Sequence, residues 1–323
     1  MKRISKGWIP VLCLLALCAA CSSSSSTSET EMAIDQFYDI KALQLDLARL
    51  EASVRAASEY QLLEQVHANR ARIREMRDRY QRIIDEAGLR DPDLGDVDQL
   101  ILKVASIFGE CELNVPPGFA EEVKAYIKKW QATDRLSNAI RRIQDKNLLD
   151  VVARALRQNG LPPQFLYLGL QESNLDPNAI GPPTRFGIAK GAWQFIPLTA
   201  EDYGIRVGPL KDEPVYDPDD ERFDFEALTW AAARFLSDIY NTDAQASGLL
   251  VMASYNWGPS NMIQRIRSMP DNPRERNFWA LLQKHDIPKE TYDYVLFIVS
   301  AAVIGENPRL FGFDFDNPLA GQE

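Results

Sequence analysis

The sequence reads as a mainly α-helical protein, and three observations carry that expectation. From Glu29 to Ala87 there is neither glycine nor proline, and apolar residues return every third or fourth position. In Leu161–Ser173, two prolines open a stretch in which Phe165, Leu168, Gly169 and Glu172 share one helical face. Farther on, Phe225–Tyr240, Leu249–Asn256 and Glu290–Ala302 are apolar runs free of both helix breakers. With 323 residues, 46% apolar and 25% charged, the chain has room for two domains and a sizeable core. A formal net charge of −10 argues against a nucleic-acid partner, because phosphates select for Lys and Arg.

The N-terminus carries a targeting pattern over residues 1–20. Lys2, Arg3 and Lys6 precede an apolar run that ends in Ala19-Ala20-Cys21. The 15 residues from Gly7 to Cys21 fall short of the ~20 needed to span a bilayer. The segment resembles a bacterial lipoprotein signal, which implies Cys21 as the lipid attachment site. Ser22 after it implies sorting to the periplasmic face of the outer membrane. Cys18 departs from the leucine usual three residues before that cysteine, and a plain secretory signal is the alternative. Beyond the signal and Cys21 only Cys111 is left, so no disulfide framework is expected, and a lone thiol of this kind reads as a small buried hydrophobe.

Residues 21–30, nearly pure Ser and Thr at first, are expected to form a flexible tether. Residues 31–88 are expected to form a coiled-coil-like helical region. Ile40, Leu43, Leu47, Leu50, Val54 and Ala57 make one seam, and Ile73, Met76, Tyr80, Ile83 and Ala87 a second seam out of phase with it. That phase break predicts a stutter or turn near 58–65. Six arginines between Arg70 and Arg82, mixed with Glu75 and Asp78, read as a solvated flank, with a partner site as the alternative. Asp91, Asp93, Asp96 and Asp98 do not make a calcium loop, since position 12 of such a loop is Leu102.

Residues 89–149 are expected to be helical and packed on the domain that begins near residue 150. Helices are predicted from Asp96 to Phe108, from Val115-Pro116-Pro117 through Trp130, and over 134–159. Next, a helix over Gln164–Ser173 should be stopped by Asp176-Pro177. It leaves Glu172 at the end of an otherwise apolar face, where a carboxylate is costly unless paired, solvated or protonated. Pro197–Asp224, rich in Pro, Gly and Asp, is expected to supply loops and a small hairpin.

Four motifs in order then carry a resemblance: Glu172-Ser173, Gly191-Ala192-Trp193-Gln194-Phe195, Ser254-Tyr255-Asn256-Trp257-Gly258, and Pro288-Lys289-Glu290-Thr291 with Tyr294-Val295. Together they resemble the lytic murein transglycosylases with a soluble-transglycosylase-type domain, especially the membrane-bound D type. The resemblance implies a lysozyme-like catalytic domain over 150–312, followed by a tail at 313–323 without the wall-binding repeats of the D-type enzymes. It implies peptidoglycan glycan strands as substrate, cleaved at the β-1,4 bond between N-acetylmuramic acid and N-acetylglucosamine with 1,6-anhydromuramic ends. Glu172 would act as acid and then base. Ser173, Gln194, Tyr255, Asn256 and Tyr294 would bind substrate, with Tyr294 hydrogen-bonded to Glu172. Trp193 and Phe195 also fit simple core packing, and Trp257 is a candidate sugar platform. From Glu172 to Gly191 the spacing is longer than in the resembled pattern, with the extra residues at 181–186.

Other chemistries fit less well. His67 and His285 lack metal-ligand spacing, and neither a Gly-x-Ser-x-Gly elbow nor a phosphate loop occurs, so no metal or cofactor is expected. A glycosidase usually needs two carboxylates. Asp176, Asp220, Glu221 and Glu290 are acidic candidates for the second, and spacing selects none of them. A goose-type hydrolytic muramidase and a non-catalytic wall-binding lipoprotein are the alternatives, and the N-terminal helices leave a coiled-coil protein partner open.

Overall fold

A computed structural model describes residues 16–57, 63–89, 91 and 93–321. Residues 1–15 of the expected signal, and the Cys21 side chain, lie outside the described residues. The architecture is mainly helical, with a single two-stranded sheet among the described residues. No helix there is long and apolar enough to cross a membrane.

Helix α1 (Ala16–Ala57) includes the 21–30 stretch that was expected to be an irregular tether. No Gly or Pro interrupts it, and serine costs a helix only about half a kcal/mol per residue relative to alanine. Helix α2 spans Leu63–Glu86, and the stutter or turn expected near 58–65 falls mostly on residues 58–62, outside the described residues. Phe37 of α1 meets Tyr80 of α2 with ring centroids 5.6 Å apart, so the two helices pack against each other. Ala33, Ile34, Phe37 and Ile40 pack there against Ile73, Tyr80, Ile84 and the buried Cys111. Burial pushes the Cys111 thiol up to about 11, as suits a packing residue rather than a nucleophile.

Ile40 of the expected seam belongs to this cluster, and Leu43, Leu47, Met76 and Ile83 pack against it. Leu43, Leu47, Leu50 and Val54 are only half-buried, while Lys41 and Leu45 are buried. The reason is that α1 has two covered faces, and Leu45 belongs to the main core of the body. Lys41 Nζ donates to the Gly109 carbonyl at 2.7 Å. Beside it Glu110 is buried and accepts from the Ser247 hydroxyl at 2.5 Å. Gly109 has φ +81°, and a Cβ there would lie 2.0 Å from the Ala246 carbonyl oxygen, so only glycine permits this approach.

Helices α3 (Asp96–Ile107) and α4 (Phe119–Gln131) match the predicted stretches closely. The 134–159 helix is instead two, α5 (Arg135–Asp145) and α6 (Leu149–Gln158), parted at Asn147, whose φ is 52°. Asparagine tolerates this left-handed turn better than most residues, so helical periodicity alone overran it. Helix α7 (Leu166–Ser173) continues from a 3₁₀ turn at Pro163–Phe165. Strands β1 (Ile180–Thr184) and β2 (Gly187–Lys190) come next. The hairpin therefore lies in the long 181–190 segment, ahead of Pro197–Asp224, where it was expected. Pro182 and Pro183 give strand edges without donors, and the register shifts between Ile180 and Pro183 accommodate them.

The body is completed by α8 (Pro197–Asp202), α9 (Phe225–Asn241), α10 (Gly248–Trp257), α11 (Pro259–Arg267), α12 (Phe278–Lys284) and α13 (Lys289–Glu306). Helix α13, apolar from Tyr294 to Ile304 except for Ser300, is buried along most of its length and packs on α3, α4, α7 and α10. It is the post around which the helices carrying the motifs are arranged.

Candidate active site

Glu172 occupies the last turn of α7. Phe165, Leu168 and Gly169, which share its face, are buried, so the helix is pinned by apolar packing right up to the carboxylate. Gly169 lets that packing close, since a Cβ there would lie 2.7 Å from the Leu175 side chain and 3.3 Å from the Trp193 ring. Asp176-Pro177 does not stop the helix. Asn174 and Leu175 do so first, with φ of 57° and 55°. Their N–H groups return to Leu170 O at 2.8 Å and Gly169 O at 3.3 Å. A buried leucine held in the left-handed region carries strain of about 1–3 kcal/mol, which the surrounding packing must offset.

The glutamate is half-buried, and its Oε1 accepts a hydrogen bond from the Tyr294 hydroxyl of α13. Burial pushes its carboxyl up to about 7, while that hydrogen bond and the Arg135 guanidinium pull in the other direction. The hydroxyls of Tyr255 and Tyr294 are held well above their ordinary value, by burial first and then by the charge of Glu172. Thus Glu172, Tyr255 and Tyr294, from three separate helices, share one electrostatic environment.

The Gly191–Phe195 loop is built as a support. Gly191 has φ +78°, and a Cβ on it would lie 1.8 Å from the Arg222 carbonyl oxygen. Trp193 is buried, donates to Thr229 Oγ1 at 2.9 Å, and accepts at its carbonyl from the Tyr255 hydroxyl at 2.6 Å. Phe195 is core, edge-on to Phe235. Ser173 Oγ donates to Ala192 O at 2.6 Å and accepts from the Asp176 N–H at 3.1 Å, which ties the end of α7 to this loop. The Gln194 amide turns back to Gly191 O at 2.8 Å. Asn256 Oδ1 accepts from Thr291 Oγ1 at 2.8 Å, joining α10 to α13. Trp257 has Arg265 stacked over its ring at 4.1 Å, so one of its faces is already covered.

Sequence reasoning missed the buried ion group beneath the loop. Arg222 holds Asp220 through two hydrogen bonds of 2.9 and 2.6 Å and reaches Ile188 O at 2.7 Å and Phe195 O at 3.2 Å. Lys190, also buried, lies 3.6 Å from the same carboxylate. Burial alone would raise the Asp220 carboxyl, but Arg222 and Lys190 outweigh it and hold it below the usual range. The only sequence hint is a set of charges inside a turn-rich segment.

The acidic candidates for a second catalytic group are engaged elsewhere or exposed. Asp220 is bound by Arg222. Asp176 accepts from the Asn178 N–H at 3.1 Å and lies 3.8 Å from Arg142. Glu221 pairs with Arg206 at 3.2 Å, and Glu290 is exposed at the start of α13. No acidic neighbour contributes to the raised pKa of Glu172. Among the described residues no group of three or more His, Cys, Asp or Glu could hold a metal ion.

Residues 150–278 match the family described as the transglycosylase SLT domain. This stretch is therefore similar to an SLT domain. Glu172, the Gly191–Phe195 loop and Tyr255-Asn256 fall inside it, whereas Arg135 and Tyr294 fall outside. Over 161 residues the chain is 29% identical to the membrane-bound lytic murein transglycosylase D of Escherichia coli strain K12, covering 50% of this chain and 32% of that relative. The enzyme of the same name from Escherichia coli O6:H1 matches to the same extent. The chain thus spans about a third of the length of the curated relatives it matches. No solved structure gives a significant match. The SLT domain, together with those relatives, bears out the resemblance read from the motifs.

Proposed function

We propose that this protein is a peptidoglycan lytic transglycosylase whose acid and base are both Glu172. The observation that carries the proposal is a single half-buried carboxyl, raised to about 7 by burial and not by a second carboxylate, at the end of α7 in the matched SLT domain. Held protonated near neutral pH, it can donate its proton to the glycosidic oxygen as the bond from N-acetylmuramic acid C1 breaks. The substrate's acetamido group stabilises the positive anomeric centre. The ionised glutamate then takes the proton of the C6 hydroxyl as that oxygen attacks C1. The 1,6-anhydro ring closes, and Glu172 is protonated again. An inverting hydrolase needs a base to activate water, and a retaining one needs a carboxylate nucleophile. An intramolecular hydroxyl at high effective concentration needs no second carboxylate, because the ionised Glu172 serves as its base.

In this scheme Tyr255, Asn256, Ser173, Gln194 and Tyr294 line the substrate side. The hydrogen bonds they make within the protein support a positioning part for Ser173 and Gln194, which fix the loop the sugar would meet. Attachment through Cys21 would hold the enzyme at the periplasmic face of the outer membrane, in keeping with the membrane-bound name of its relatives.

Mass spectrometry of muropeptides released from sacculi by the purified chain tests the proposal. Anhydro ends, one water lighter than reducing ends, are expected. Mostly reducing ends would transfer the site to a hydrolytic muramidase. No release by folded protein would leave a wall-binding lipoprotein.

A further inference from the structure

The α4–α5 corner lies upstream of the matched SLT domain, yet it reaches the end of α7. Arg135 opens α5 and is half-buried. Its Nε donates to Asn174 Oδ1 at 2.6 Å, and Nη1 donates to Gln171 Oε1 at 3.2 Å. Nη2 donates to the carbonyls of Gln171 at 2.9 Å and Leu170 at 3.3 Å. These acceptors flank Glu172 in sequence on both sides. The last carbonyls of a helix carry partial negative charge, so a cation there is favoured. Only a planar fork with several donors can serve four acceptors at once; lysine's ammonium offers three donors from a single point.

The same guanidinium lies 5.0 Å over the Trp130 ring. The Trp130 indole N–H in turn is held by α13, at 3.1 Å from both Phe297 O and Ser300 Oγ. Arg135 therefore links α7, which carries Glu172, to α13, which carries Tyr294, through a single stacked pair. Sequence pattern gives no sign of this, because Arg135 lies 37 positions before Glu172 in an ordinary amphipathic helix.

We propose that Arg135 is a positioning residue of the site, clamping the last turn of α7 so that the Glu172 carboxyl is set against the Tyr294 hydroxyl. This rests on Glu172 being the reacting acid. The groups that face Glu172 are Arg135 from α5, Tyr255 from α10 and Tyr294 from α13, and the Gly191–Phe195 loop brings no ionisable side chain. Of these, Arg135 is the cation.

The test uses the full chain, with Arg135→Lys and Arg135→Met. Two quantities are read: muropeptide release per folded molecule, and titration of the Glu172 carboxyl by carbon-13 NMR, assigned by its loss in Glu172→Gln. Arg135→Lys keeps the charge and loses the fork. Its kcat is expected to fall about tenfold with KM within about twofold, since one or two charge-assisted hydrogen bonds are lost, and Glu172 should titrate near its wild-type value. Arg135→Met loses both fork and charge. Its kcat should fall roughly a hundredfold, and the Glu172 titration should move up. Wild-type kcat in Arg135→Lys, or an unmoved Glu172 titration in Arg135→Met, would overturn the proposal. So would a lower melting temperature with undiminished kcat per folded molecule. Should Arg135→Met not fold, kcat of Arg135→Lys decides. Should wild-type protein release no muropeptides, the functional proposal fails by itself, and the titrations still judge Arg135.

Discussion

Tyr294 donates a hydrogen bond to Glu172 across 122 positions of sequence, from a helix that lies outside the matched SLT domain. Its carboxyl partner stays protonated to about pH 7, chiefly through burial, and the tyrosine moderates that rise by favouring the ionised form. A general acid must carry its proton, so kcat/KM should decline as pH rises through about 7. Tyr294→Phe removes a group that lowers the Glu172 pKa. The alkaline limb should then shift to higher pH, while the maximal rate falls about tenfold through lost orientation. A pH–rate profile on solubilised glycan strands checks both, and a limb that moves down would contradict the assignment.

Glu172→Gln should reduce turnover of sacculi by about a hundred- to ten-thousandfold, because an amide cannot supply the acid proton. Activity within tenfold of wild type would remove Glu172 from the role. The same variant has a stability signature. The folded protein holds the Glu172 proton up to about 7, whereas an ordinary carboxyl releases it near 4.5. Across that window the folded state binds more protons than the unfolded state, so this group's contribution to stability falls as pH rises. Glutamine does not ionise. Its melting temperature should match wild type near pH 4.5 and exceed it by roughly 2–4 °C at pH 8, as thermal scans at the two pH values would show.

Gly191→Ala should be among the most damaging single substitutions in the loop. The position combines φ +78° with a would-be Cβ 1.8 Å from a backbone oxygen, and backbone cannot swing aside as a side-chain end can. A left-handed penalty and overpacking together cost about 3 kcal/mol or more. The urea midpoint should drop, and residual activity should be low even where the protein is folded, because Tyr255 and Ser173 both bond this loop. Chemical denaturation followed by intrinsic tryptophan fluorescence measures the first effect.

Lys41 and Glu110 test how the N-terminal helices are held. Both are buried; burial lowers the lysine and raises the glutamate, while each pulls the other back towards its charged form. Lys41→Met removes both the cation near Glu110 and the hydrogen bond to Gly109 O, and should cost about 1–3 kcal/mol. Lys41→Met with Glu110→Gln should recover part of that cost, since neither charge then needs a partner. Limited proteolysis should show α1–α2 released first in the single variant. Equal destabilisation in single and double variants would mean that the two charges are not coupled.

Much of this protein was legible from sequence alone. A mainly helical fold results from long stretches without Gly or Pro and from apolar residues at helical spacing, which are local properties of the chain. The motif glutamate and the motif loops were legible because adjacent residues carry them: Glu172-Ser173, the Gly191–Phe195 loop and Tyr255-Asn256 all fall inside the SLT domain. Local periodicity misplaced what depended on single residues. It ran through the left-handed Asn147; the end of α7 at Ser173 was read correctly but ascribed to Asp176-Pro177 rather than to Asn174 and Leu175. Turn-residue composition set the hairpin in Pro197–Asp224, beyond its true place at Ile180–Lys190.

What only the tertiary structure decided is which distant groups meet. Beside the seam that packs on α2, α1 has a second buried face set by the body, through Lys41 and Leu45, and a heptad pattern speaks only of a partner helix. The Asp220–Arg222–Lys190 group removed one candidate carboxylate, because a buried ion pair looks in sequence like any surface charge. Arg135 and Tyr294 came to Glu172 from helices on either side of the domain. Spacing along a chain fixes which residues share a face of one helix. The pKa of Glu172 depends on desolvation and on charges brought in by other helices, and those are set only when α5, α7, α10 and α13 pack together.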